Sequence, residues 1–228
     1  AVRPLLQRCE LDEDESLQRT AWRAIDALRK LGPAAGDAFD PLLELLGASG
    51  VLFQEDYERL LSALRATAPS DAVLAGRLLP AMKTRSAVYV ADLLADIGPA
   101  AKVAVPELLP LLAKRDIHAV GSAARALLCI APEDADVNAR VQAAFWQALP
   151  RVTTDDPFRP WGEYEFLATI VAKKPTLFEA EMLRRLKSPY MPLVPGASYR
   201  GLQDSLVNYL GNAAPRMLVC LHEEHAVA

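Results

Sequence analysis

The chain has 228 residues, of which 52% are hydrophobic but only 7% aromatic, so Leu, Ala and Val carry the apolar content and favour helix over strand. Its 25 basic and 29 acidic residues leave a formal net charge of −4, which argues against a phosphate backbone as the main partner. No apolar run reaches the roughly 18 residues of a membrane span and no secretory signal opens the chain. Cys9, Cys129 and Cys220 have neither disulfide nor metal-ligand spacing, so a reducing, cytoplasmic setting is expected.

The first stretch, AVRPLLQRC at 1–9, is similar to AVPELLPLL at 104–112, which reads as the second helix of a repeated unit. The chain is therefore expected to begin in mid-repeat. The acidic DEDE at 12–15 leads into a helix predicted from about Ser16, where negative charge suits the amino end of the helix dipole. That helix ends at Gly32-Pro33, and counting back from Gly32 exposes a pattern. Ala24, Ile25, Ala27, Leu28 and Leu31 stand eight, seven, five, four and one residue before it.

The same offsets recur along the chain. Before Ala68-Pro69 they give Leu60, Leu61, Ala63, Leu64 and Thr67. Before Gly98-Pro99 they give Val90, Ala91, Leu93, Leu94 and Ile97, and before Ala131-Pro132, Ala123, Ala124, Ala126, Leu127 and Ile130. A weaker copy places Phe166, Leu167, Thr169, Ile170 and Lys173 before Lys174-Pro175, and a sixth places Leu206, Val207 and Leu210 before Gly211. The anchors at 32, 68, 98, 131, 174 and 211 are 30 to 43 residues apart, a period that denotes a stacked array.

Each copy predicts two helices. The offsets form the apolar stripe of an amphipathic helix, and the residue before proline is pushed out of helical geometry, which ends it. A second apolar stretch follows: LLELL, LLPAM, LLPLL and AAFWQAL in the first four copies. One such pair cannot cover its own apolar face, so neighbouring pairs must stack. The predicted organisation is one domain over 1–228, with regular repeats at 16–149 and irregular ones at 150–222.

Two segments interrupt the array. TTDDPFRPWGEY at 153–164 carries Phe158, Trp161 and Tyr164, and KSPYMPLVPGASYR at 187–200 carries Tyr190, Met191 and Tyr199. Proline keeps such loops stiff and lowers the entropy lost on binding, and aromatic side chains are natural interface anchors. The competing reading is that they fold back over the ends of neighbouring helices. RRLK at 184–187 is the basic counterpart of DEDE, near a helix carboxyl end.

Chemistry is sparse. HEEH at 222–225 spaces His222 and His225 three apart, unlike the zinc-protease pattern, and His118 begins a repeat helix. There is no Gly-rich phosphate loop and no Gly-x-Ser-x-Gly elbow. The sequence calls for no catalytic residue, metal or cofactor, and favours a non-enzymatic role.

The small-residue pairs, the Ala-Leu and Leu/Ile-Gly-Pro steps and the Pro-x-Leu-Leu-x-Leu-Leu second helices resemble HEAT repeats, closest to the short form of phycobilisome lyase-like proteins. The resemblance implies an all-α, right-handed α-solenoid of about six antiparallel helix pairs. It also implies that second helices line a concave face, which assigns Glu44, Arg77, Lys83, Glu107, Lys114 and Gln147 to a groove. The leading expectation is a scaffold, adaptor or inhibitor that binds another protein through this face and the two loops. One form of it is an immunity-type inhibitor of a basic toxin enzyme, since net acidity speeds encounter with such a target. Two alternatives come from the resemblance. A DNA glycosylase or nucleic-acid binder would place Trp161 and Asp155 or Asp156 at a flipped base, and a bilin lyase-like protein would act on a chromophore acceptor.

Overall fold

A computed structural model describes residues 15–48, 54–84, 86–148, 170, 173, 174 and 176–178. These residues form helices and the turns joining them, with no strand among them, so the described fold is all-α. No helix among them is long and apolar enough to cross a membrane. The chain divides into two compact units, Ala1–Glu107 and Leu108–Ala228.

In the first unit, α1 (Glu15–Leu31) runs into a 3₁₀ segment, Gly32–Ala38, and then α2 (Phe39–Ala48). The second copy is α3 (Gln54–Thr67), then α4 (Asp71–Leu78) with a 3₁₀ end at Leu79–Lys83. The third is α5 (Ala87–Ile97), the 3₁₀ segment Gly98–Ala104, and the short α6 (Val105–Leu108), whose last residue belongs to the second unit. First helices pack on first helices: α1 lies along α3, and α3 touches α5. Second helices do likewise, α2 against Leu79–Lys83 and α4 against Gly98–Ala104.

The predicted stripe is the core. Leu60, Leu61, Ala63 and Leu64 of α3 are buried, as are Val90, Ala91, Leu93 and Leu94 of α5. Removing a Leu or Val side chain fully from water contributes about 1.5–3 kcal/mol, and this burial holds the pairs together. Thr67 occupies a position where α5 has Ile97, and its hydroxyl donates to the Ala63 carbonyl at 2.9 Å, so the buried oxygen is satisfied. The first copy departs from expectation. Trp22 and Ile25 are buried, but Ala27 is exposed and Leu31 is 60% exposed, because among the described residues only one flank of α1 is covered by a neighbouring first helix.

The 66-residue echo between 32–46 and 98–112 extends to the backbone. Gly32 and Gly98 are the two positive-φ residues among those described, at 58° and 70°. Three residues later both segments break helical geometry, at Ala35 (φ −100°, ψ 26°) and Ala101 (φ −87°, ψ 16°). Leu42 and Leu108 are then fully buried, and Leu45, Leu46, Leu111 and Leu112 nearly so.

In the second unit, the 3₁₀ segment Leu109–Ala113 precedes α7 (Ile117–Ile130) and α8 (Ala135–Ala148), and all three pack on one another. Asp116 caps α7 by accepting the His118 backbone N–H at 3.0 Å, while the His118 side chain is exposed. Small residues run along α7 (Ala119, Gly121, Ser122, Ala123, Ala124, Ala126), and nearly all of that helix is buried. The weaker fifth copy leaves a trace. Helix is present at Lys173 and again at 176–178, Ile170 and Phe178 are fully buried, and the Phe178 ring lies 4.7 Å from that of Phe145. Gln142 donates to the Leu177 carbonyl at 2.7 Å, and the Lys174 ammonium donates to the Pro132 carbonyl.

Candidate functional surface

Counting forward from the repeat anchors, instead of back, finds what faces water. Five residues after each of the first four anchors stand Asp37, Val73, Val103 and Asp136, and all four are exposed. Val73 is 44% and Val103 51% exposed, and with Leu31 they are the exposed large hydrophobic side chains among the described residues. Two of these three therefore occupy one repeat position in successive copies of the first unit, Val73 on α4 and Val103 on the 3₁₀ segment Gly98–Ala104. Since α4 packs on Gly98–Ala104, those valines belong to one layer. In the copy that holds Val73, Ala72 and Pro80 are exposed too, and in the copy that holds Val103 so are Pro99, Ala100 and Pro106. Proline explains part of this surface: it cannot donate to the helical ladder, so Pro80 and Pro99 sit in the first turn of 3₁₀ segments, where that donor is not needed.

Charge is uneven along the same layer. Gly32–Ala48 contributes three acidic side chains, Asp37, Asp40 and Glu44, and no basic one. Arg77 on α4 reaches back to it, with Nη2 2.6 Å from Asp40 Oδ1 and the guanidinium carbon 6.0 Å from the Phe39 ring centre. Both partners of that ion pair are more than half exposed. Lys83, on the 3₁₀ end that packs against α2, and Lys102, on Gly98–Ala104, are exposed as well. Glu107 is half-buried.

Of the residues assigned to a groove from sequence, Glu44, Arg77 and Lys83 are exposed on this layer, and Glu107 is its half-buried member. Lys114 and Gln147 are exposed in the second unit. Phe158, Trp161, Tyr164, Tyr190, Met191 and Tyr199 lie outside the described residues, as do Asp155, Asp156, His222 and His225. Val73 and Val103 were not among the expected site residues. The signal for them was available, because the same anchors that locate the core also locate the outward position.

The first-helix layer of the first unit carries cations at matched positions: Arg23 with Arg59, and Arg29 with Arg65, all exposed. Acidic neighbours offset part of it, Asp26 at 3.8 Å from Arg29 and Asp71 at 3.7 Å from Arg65. Among the described residues no three His, Cys, Asp or Glu side chains gather into a group that could hold a metal ion. No protein-family model matches the chain, and no curated protein or solved structure matches it.

Proposed function

We propose that this chain is a non-enzymatic protein-binding module, a HEAT-like right-handed α-solenoid of about six helix pairs that holds a partner protein on its second-helix layer. The observation that carries the reading is the pair Val73 and Val103, apolar and half in water at one repeat position on α4 and on the segment Gly98–Ala104 packed against it. A single exposed valine is ordinary, but apolar side chains repeated on neighbouring elements and rimmed by charge form the kind of patch that marks an interaction surface. The aromatic residues of the loops at 153–164 and 187–200 are further partner contacts in this proposal. The solenoid reading is supported by the first-on-first and second-on-second packing in the first unit. The function belongs in the cytoplasm, where unpaired thiols persist.

The test is affinity capture of the tagged chain from its native extract, run in parallel with a Val73→Glu/Val103→Glu variant. One stoichiometric protein retained by the native chain and lost by the variant is the expected result, with helicity and melting unchanged. Equal retention by both removes the second-helix layer from the function.

The arginine rows of the first-helix layer favour a second reading, polyanion binding. Salt-dependent retention of DNA, weakened by Arg23→Glu/Arg59→Glu, is the result that would establish it.

A further inference from the structure

No further inference is drawn: the strongest candidate, the apolar carboxyl end of α1 where Ala27 and Leu31 are exposed although their counterparts in the next three copies are buried, carries nothing because nothing in the structure shows what covers it.

Discussion

The four described junctions between first and second helices come in two kinds, and they solve one problem by different means. At three of them the anchor residue's N–H closes the last helical turn: Gly98 bonds to the Leu94 carbonyl, Ala68 to Leu64 at 3.0 Å, and Ala131 to Leu127 at 2.9 Å. At Gly32 and Gly98 the backbone then takes positive φ, and Pro33 or Pro99 starts the next 3₁₀ segment with no side-chain cap. Ala68 and Ala131 have no such freedom, and Ala131 stays at φ −134°. There a side chain replaces the glycine: Ser70 accepts the Val73 N–H at 3.2 Å, and Asp134 accepts those of Asp136 and Val137 at 3.0 and 3.1 Å. The Gly-Pro copies have alanines where the caps would be, Ala34 with Ala35 and Ala100 with Ala101. A repeat can thus hold its geometry while the source of that geometry moves from backbone to side chain.

If the two kinds are equivalent in the core, the position four residues before the anchor should not register which junction follows. Leu64 precedes an Ala-Pro junction and Leu94 a Gly-Pro one, and both are fully buried. Leu64→Ala and Leu94→Ala should each cost about 2–5 kcal/mol, the range for a buried Leu cavity, as measured by urea unfolding. A gap between them of more than the range would show that the junction governs packing beyond its own turn.

Glycine substitutions probe the difference directly. Gly98 sits at φ 70°, ψ −140°, a region essentially closed to other residues, so Gly98→Ala should lose about 1–3 kcal/mol. Gly32 has ordinary room for a Cβ, with the nearest atom, the Ala66 carbonyl oxygen, at 3.8 Å. Its loss is therefore backbone strain alone, roughly 1–2 kcal/mol for Gly32→Ala. Ala131→Gly, by contrast, should shift stability by about 0.5–1 kcal/mol, through chain entropy and not strain. Chemical denaturation of the three variants ranks them, and a neutral Gly98→Ala would sink the account of the Gly-Pro junction.

Much of this architecture can be read from the sequence because it is local. The stripe of apolar residues before each anchor is a property of one helix, and glycine before proline at a helix end announces the positive φ that Gly32 and Gly98 adopt. What depends on neighbours cannot be read this way. Leu31 matches its counterparts Ile97 and Ile130 in sequence, yet it is exposed while they are buried, because exposure depends on what lies alongside. The candidate surface was half readable. Charged residues such as Glu44, Arg77 and Lys83 were found by assuming which helix faces a partner. Val73 and Val103 were passed over because an apolar residue in an apolar helix reads as core until its phase against the anchor is counted. The 3₁₀ segments were missed for a related reason: a 3₁₀ turn and an α turn share the same residues, and Pro80, Pro99 and Pro110 tip the balance only through the donor they lack.

Capping substitutions give smaller effects. Asp134→Ala removes the acceptor for two backbone N–H groups and should cost about 1 kcal/mol, within the range for such caps. Ser70 offers the finest cut. It has extended geometry, φ −164° and ψ 160°, so glycine has no conformational advantage there, and its hydroxyl makes one bond, to the Val73 N–H. Ser70→Ala should cost roughly 0.5–1 kcal/mol, and Ser70→Gly only a few tenths, because water reaches the freed N–H more readily when no methyl group shields it. The same bond fixes the first turn of α4, which carries Val73. Hydrogen exchange at the Val73 amide should therefore accelerate in Ser70→Ala even though the global change is small. Unchanged protection there would mean that packing against Gly98–Ala104, not the cap, holds Val73 outward, and the side-chain half of the comparison would fail at the residue where it touches function.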